Sequence, residues 1–180
     1  QEIKNLGRFG QRVINQPSKT VVIAGGAKVS DKINVLKQFV HAGVKAIFIG
    51  GKMVNTFLIA QKVKTKMVPF NLSDVPRALI SSNEENNKNL VNEVSLAGEI
   101  LDFASDKKVN LIFPDDYKCV DEFKATTFFI EAEPDFEKVL QLDLGPKTIE
   151  NFKNSILSDG IENVFWNGPL GAYDHPTSHD

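Results

Sequence analysis

The chain has 180 residues, 42% of them hydrophobic and 24% charged, with a formal net charge of -2 at pH 7. That length allows one domain with a sizeable core, the charge balance excludes a general basic footprint for nucleic acid, and no apolar run reaches the length of a membrane span. A single cysteine, Cys119, excludes an internal disulfide and fits a reducing, cytoplasmic setting.

A monomer is expected. No secretory signal is visible. Gln1 is not a natural start, so a longer parent chain is expected.

In chain order, residues 1–15 place Ile3, Leu6, Phe9 and Val13 at helical spacing, and Gln16-Pro17-Ser18 ends the pattern. The stretch TVVIAGGAKVSDKINVLKQF, Thr20 to Phe39, organises the rest. Val21 to Ala24 reads as a strand buried on both faces. Gly25 and Gly26 follow, and Ile33, Leu36, Phe39 and Val40 then mark one face of a helix. Ser30 is the expected N-cap, with Asp31 and Lys32 opening the helix. Lys28 and Lys32 carry the wrong sign for a helix N-terminus and are like charges four residues apart. Two lysines converging there make sense if a polyanion lies between them, so the stretch predicts a phosphate site. The plain alternative is a pair of solvated lysines beside an ordinary turn. Two common phosphate motifs are absent. Gly26 is followed by Ala27, Lys28 and Val29, which breaks G-x-G-x-x-G, and Asp31 stands where a P-loop needs glycine.

Gly43 sits where a helix C′ glycine belongs. A second apolar strand, Lys45 to Ile49, runs into Gly50-Gly51 and a helix from Met53 to Gln61. Two strands ending in paired glycines imply two places where something approaches the backbone closely. In neighbouring parallel strands both turns fall on one carboxyl edge, the ligand edge of open α/β sheets. Val63 to Asn87 reads as a long loop with a turn of helix. Leu90 to Phe103 reads as a helix with Leu90, Val94, Ala97, Ile100 and Leu101 inward. Val109 to Phe113 reads as a strand leading to Pro114-Asp115-Asp116, an acid pair that suits a solvated turn better than a metal site. Thr126 to Glu131 is a β-branched and aromatic run, a short strand or ribbon. Pro146 opens a helix with Ile149, Phe152 and Ile156 inward, and Ile161 to Trp166 is a last strand before the Asn167-Gly168 turn. The alternation predicts a doubly wound, mostly parallel sheet in a Rossmann-like three-layer α/β/α domain.

Several of these stretches carry a resemblance. GGAKVSDKI (25–33), IGGKMVNTFL (49–58), FPDDYKCVDEF (113–123), LDLGPKT (142–148) and WNGPLGAYD (166–174) resemble, in the same order, motifs of the nucleotide-binding C-terminal domain of phosphoglycerate kinases. The resemblance implies that residues 1–15 are the remnant of an interdomain hinge helix and residues 16–180 the nucleotide domain, incomplete at its C-terminal end. It implies reversible transfer of the acyl phosphate of 1,3-bisphosphoglycerate to ADP with Mg²⁺, giving 3-phosphoglycerate and ATP. Lys28 would steady the transferring phosphoryl group and Lys32 a nucleotide phosphate. Gly25, Gly26, Ala27, Gly50, Gly51, Gln141, Leu142, Pro169 and Ala172 would shape the nucleotide pocket. Asn167 would reach a phosphate, Asp174 the ribose, and Asp31 the vicinity of the metal.

The chain departs from the family in four places. Lys52 stands for a third glycine or small residue, Gln141 for a glycine, Tyr173 for a phenylalanine and Asp174 for a glutamate. The family's GGGD-S/T phosphate turn and its arginine-rich 3-phosphoglycerate domain are not among these residues, so the chain alone is expected to be inactive. A non-catalytic nucleotide-binding or interaction module built on the same fold is the competing reading, favoured by Lys52, Asp174 and the long loop. A dinucleotide-dependent dehydrogenase domain is disfavoured by the missing G-x-G-x-x-G.

Overall fold

The computed structural model describes residues 2–66, 83–121, 126–131, 140–158 and 160–172. Asp174, Tyr173 and most of the expected 63–87 loop lie outside them. The elements are α1 (Glu2–Asn15), a 3-10 turn (Pro17–Lys19), β1 (Thr20–Ala24), α2 (Ile33–Ala42), β2 (Ala46–Ile49), α3 (Met53–Lys66), α4 (Glu84–Lys107), β3 (Asn110–Ile112), β4 (Asp116–Asp121), β5 (Thr126–Glu131), β6 (Leu140–Leu144), α5 (Pro146–Ile156) and β7 (Asn163–Asn167).

Four strands form a parallel sheet in the order β3-β2-β1-β7. Val22 of β1 pairs with Ile47 of β2 on one side and Phe165 of β7 on the other. Alternate residues of β1 and β2 feed two cores. Val22, Ala24, Ile47 and Ile49 pack with Leu36, Val40, Phe57 and Ile100 from α2, α3 and α4. Val21, Ile23, Ala46 and Phe48 pack with Phe152 of α5 and Leu144 of β6. The Phe48 and Phe152 rings meet edge-on, 4.7 Å between centroids. Helices therefore cover both faces, as apolar strands buried on both sides require. Strand order reverses at β1, so the crevice between the carboxyl ends of β1 and β7 is the topological switch point.

A second, antiparallel sheet in the order β5-β4-β6 stands beside the first. The sequence reading found β5 but neither β4 nor β6. A register irregularity between Lys118 and Cys119 buries Cys119 and Val120 in succession, which breaks the period-two pattern. β6 keeps a clean alternation, with Leu142 and Leu144 buried and Gln141 and Asp143 half-buried, but its few residues run straight into the Gly145-Pro146 helix start, which masks the strand in the sequence.

Four helix expectations are corrected. α4 begins at Glu84, six residues before the expected Leu90, because Asn83 caps it by accepting from the Glu85 N–H at 2.8 Å. Glu84 and Glu85 occupy the first turn, where acids suit the helix dipole. Ser30 is not the cap of α2. Its N–H donates to Glu93 Oε2 at 2.9 Å, and α2 starts at Ile33 with Lys32 in the cap position. α3 runs on to Lys66, past the expected Gln61. On α5, Ile149 is 54% exposed; Thr148 and Phe152 are the buried pair instead. Thr148 faces inward because Asp116 holds it there. Gly43 ends α2 in the left-handed conformation, φ 73°, as its position in the sequence predicts.

Candidate functional site

Three turns meet at the carboxyl edge of the parallel sheet. The first leaves β1 through Gly25 and Gly26, the second leaves β2 through Gly50 and Gly51, and the third leaves β7 through Asn167, Gly168 and Pro169. They are tied backbone to backbone. Gly25 N–H donates to Asn167 O at 2.9 Å, Gly51 N–H to Leu170 O at 2.8 Å, and Met53 N–H to Gly26 O at 3.0 Å.

The glycines are explained by these close approaches. A Cβ on Gly25 would overlap the Pro169 carbonyl, and one on Gly50 would overlap Leu170 Cδ2. A Cβ on Gly51 would come within 2.6 Å of Gly26 O, and φ there is +69°. The sequence reading was right that something approaches these backbones. In this structure it is the chain's own segment 168–170.

Lys32 crosses the crevice between β1 and β7. Its Nζ donates to Asn167 Oδ1 at 2.5 Å, and its side chain passes over Gly26 and Gly168. Asn167 is thus held at both ends, by the Gly25 N–H on its carbonyl and by Lys32 on its side chain. Trp166 Nε1–H closes the same turn on Gly168 O at 2.8 Å. Lys28 is exposed and has no ion-pair partner among the described residues. Asp31 is also exposed.

The expected pocket residues divide by accessibility. Gly26, Ala27, Gln141, Asn167, Pro169 and Ala172 keep accessible surface, whereas Gly25, Gly50, Gly51 and Leu142 are buried. β6 is tied to the segment that follows β7. Ala172 N–H donates to Leu142 O at 2.7 Å, and the Asp143 carboxylate fills the space a Cβ on Gly171 would need. Two contributors are not among the residues the sequence points to. Leu170 covers Gly50, and Glu93 holds Ser30 across 63 residues of chain. Leu170 left a faint signal as an apolar residue inside a glycine-proline turn; Glu93 left none.

The acid pair lies where the chain enters β4, and the expectation of a solvated turn is corrected for Asp116, which is buried; both acids have protein partners. Asp116, 3% exposed, accepts from Lys147 N–H at 3.0 Å, Thr148 N–H at 2.7 Å and Thr148 Oγ1–H at 2.6 Å. Burial pushes its carboxyl upward. The Thr148 side chain, the Thr148 and Lys147 N–H groups and the Lys147 charge outweigh burial, and the net shift is below the usual carboxylate value. Asp115 accepts from Asn151 Nδ2 at 2.6 Å. Among the described residues no three His, Cys, Asp or Glu side chains stand close enough to share a metal. Cys119 is fully buried, and burial pushes its thiol up to about 11.

Fold and crevice together define a doubly wound α/β domain with a cation-bearing, glycine-lined turn cluster at its switch point. The sequence comparisons narrow this further. The chain belongs to the phosphoglycerate kinase family, whose family model matches residues 1–180. Curated relatives named phosphoglycerate kinase include that of Anaeromyxobacter dehalogenans (strain 2CP-C), 35% identical over 179 residues, covering 97% of this chain and 38% of the relative. That of Chlorobium phaeobacteroides (strain BS1) is 33% identical over 173 residues, covering 95% and 38%. The chain therefore spans less than half the length of these relatives.

Among solved structures, the fold matches phosphoglycerate kinase from Coxiella burnetii with a TM-score of 0.72 at 22% identity, covering 98% of this chain and 41% of that one. The enzyme from Pyrococcus horikoshii OT3 matches at 0.67 and 22% identity, covering 96% and 40%. Among the described residues no helix is long and apolar enough to cross a membrane.

Proposed function

We propose that these residues form the nucleotide-binding half of a phosphoglycerate kinase, serving reversible phosphoryl transfer between 1,3-bisphosphoglycerate and ADP. The observation that carries this reading is the pair of lysines at the switch point of a chain that belongs to this family. Among the described residues Lys28 has no ion-pair partner and Lys32 is anchored to a neutral acceptor, so no described carboxylate neutralises either cation. Two uncompensated cations beside a glycine turn fit a polyphosphate.

Phosphoryl transfer depends chiefly on positioning and on charges already in place. Lys28, exposed beside the turn, meets charge on the transferring group. Lys32, fixed by Asn167, holds a nucleotide phosphate at a set distance from the β1 turn. Gly26, Ala27, Pro169 and Ala172 supply the surface for the base, and Gly25, Gly50, Gly51 and Leu142 shape it from beneath. Gln141 borders that surface. Asp174, outside the described residues, takes the ribose. A magnesium ion bound with the nucleotide would neutralise phosphate charge. Asp31 fits as one carboxylate ligand, the others being phosphate oxygens and water.

In this reading residues 1–15 belong to an interdomain hinge, and 3-phosphoglycerate is bound by a domain outside these residues. The 180 residues alone bind nucleotide weakly and turn over negligibly. Lost positioning alone removes roughly 7–11 kcal/mol of barrier lowering.

Titration with ADP tests the placement. Amide shifts should concentrate at Gly25–Lys32, Gly50–Met53 and Asn167–Asp174. Shifts centred on Pro114–Asp116, with those turns silent, would refute it. Turnover of 3-phosphoglycerate and MgATP by the chain alone, abolished by Lys28→Ala, would refute the half-enzyme reading. The second reading, a non-catalytic nucleotide-binding module, is favoured by the closure of segment 168–170 over Gly25 and Gly50. It predicts ADP binding with no turnover even when a separately made 3-phosphoglycerate domain is added.

A further inference from the structure

The turn that carries Lys28 and Lys32 is held from outside itself. α2 starts with Lys32 in the cap position, and no side-chain cap bond is made there. A Ser, Thr, Asp or Asn cap ordinarily orders such a start. Here the ordering contact comes from α4, where Glu93 Oε2 accepts the Ser30 N–H at 2.9 Å across 63 residues of chain. The residue after Glu93, Val94, is 3% exposed and lies in the same core as Val29 and Leu36. Val29, between Lys28 and Ser30, is fully buried, and its carbonyl accepts the Lys32 N–H at 2.9 Å. The backbone between the two lysines is thus pinned at successive residues, at Val29 by packing and at Ser30 by a charge-assisted bond. Further along, Lys37 of α2 pairs with Glu99 of α4 at 3.0 Å, but those side chains are 44% and 52% exposed and lie away from the turn.

We infer that Glu93 is a positioning residue for phosphate binding, holding the Lys28–Lys32 backbone in its binding conformation before any ligand arrives. The inference rests on the nucleotide reading above and adds to it a residue that acts through Ser30. Fixing a loop in advance removes an ordering cost from binding. Charge alone predicts the opposite sign, because a carboxylate beside a phosphate repels it. The two effects are separable: the hydrogen bond needs only an acceptor oxygen, and the repulsion needs the charge.

Glu93→Ala and Glu93→Gln test it as a pair. Both remove the charge, and only glutamine keeps an oxygen that can accept from the Ser30 N–H. Amide-shift titration of the 180-residue protein with ADP should give a Kd about three- to tenfold weaker for Glu93→Ala than for Glu93→Gln, as loss of one hydrogen bond does. Glu93→Gln should bind ADP as tightly as wild type or more so. Adenosine, which has no phosphate, should bind both variants alike. Lys37→Ala, which cuts the α2–α4 pair away from the turn, should leave ADP binding unchanged. In the ligand-free protein the Ser30 amide should exchange with solvent faster in Glu93→Ala than in Glu93→Gln. ADP binding by Glu93→Ala equal to or tighter than that of Glu93→Gln would overturn the inference. So would an equal loss of adenosine binding, or an equal loss in Lys37→Ala, since either marks a general loosening of the fold. No ADP binding by the wild-type protein would instead remove the nucleotide reading, and this inference with it.

Discussion

Lys32 and Asn167 join the turns that leave two neighbouring parallel strands, Nζ to Oδ1 at 2.5 Å. The bond fixes the position of a cation without cancelling its charge, because the acceptor is neutral. Lys32→Ala should therefore lose about 1–3 kcal/mol of ADP binding, the worth of a charge-assisted hydrogen bond. Lys52→Gly, one turn further along the edge, should leave ADP binding equal or tighter. Calorimetric titration decides both. Wild-type affinity in Lys32→Ala would remove the phosphate role from that lysine.

Gly25→Ala and Gly98→Ala should move stability in opposite directions. At Gly25 a methyl would overlap the Pro169 carbonyl, which is backbone and cannot turn aside. The cost should be about 3 kcal/mol, at the upper end of overpacking. At Gly98, inside α4, a methyl meets nothing within 4 Å. Removing a helical glycine there should add about 1 kcal/mol. Urea midpoints of the two variants give the answer.

Asp116 makes stability depend on pH in a definite direction. Its carboxyl lies below the ordinary value in the folded state, so the unfolded chain takes up the proton first as pH falls. The stabilisation is complete above the unfolded carboxylate value and is lost as pH falls through the lower, folded one. Asp116→Asn should flatten that part of the acid limb. Thr148→Val, which removes the hydroxyl at similar shape, should reduce it. An acid limb unchanged in Asp116→Asn would assign the dependence to other carboxylates.

Cys119 should be chemically silent in the folded protein. It is buried, and its thiol is pushed up to about 11, so at pH 8 little thiolate exists and none is accessible. Labelling by a disulfide reagent should proceed at the rate of unfolding and accelerate in step with urea. Fast stoichiometric labelling in buffer would mean that β4 opens locally.

The parallel sheet and its carboxyl-edge turns were readable because their signals are local. An apolar run, two glycines and a helical stripe lie within twenty residues of one another. The antiparallel sheet was harder. β4 has its register irregularity between Lys118 and Cys119, and its partners are set by contacts across the chain. Ile149 was placed inward by its spacing from Phe152 and Ile156. Phe152 and Ile156 do face the core, but the residue one turn before Phe152 on that face is Thr148, whose hydroxyl donates to Asp116, and no pattern within 146–156 encodes a partner on β4. In the crevice the residue types were legible but not their occupants. Paired glycines announce a close approach, and only the fold says that Pro169 and Leu170 make it.

The span between the two ends of the Lys32–Asn167 bond has a consequence for how the protein is born. The partners are 135 residues apart, and β7 lies with Asn167 at the far end of that separation. On a ribosome adding about 5–20 residues per second, β1 waits on the order of ten seconds for its second neighbour. During that interval β1 can pair with β2 on one side while its other flank, a strand of five residues with Val21 to Ala24 apolar, offers an open ladder of N–H and C=O groups. Slow translation or a delayed β7 lengthens the exposure. Yield in the cell should accordingly respond to chaperone supply during synthesis more than to the stability of the finished fold.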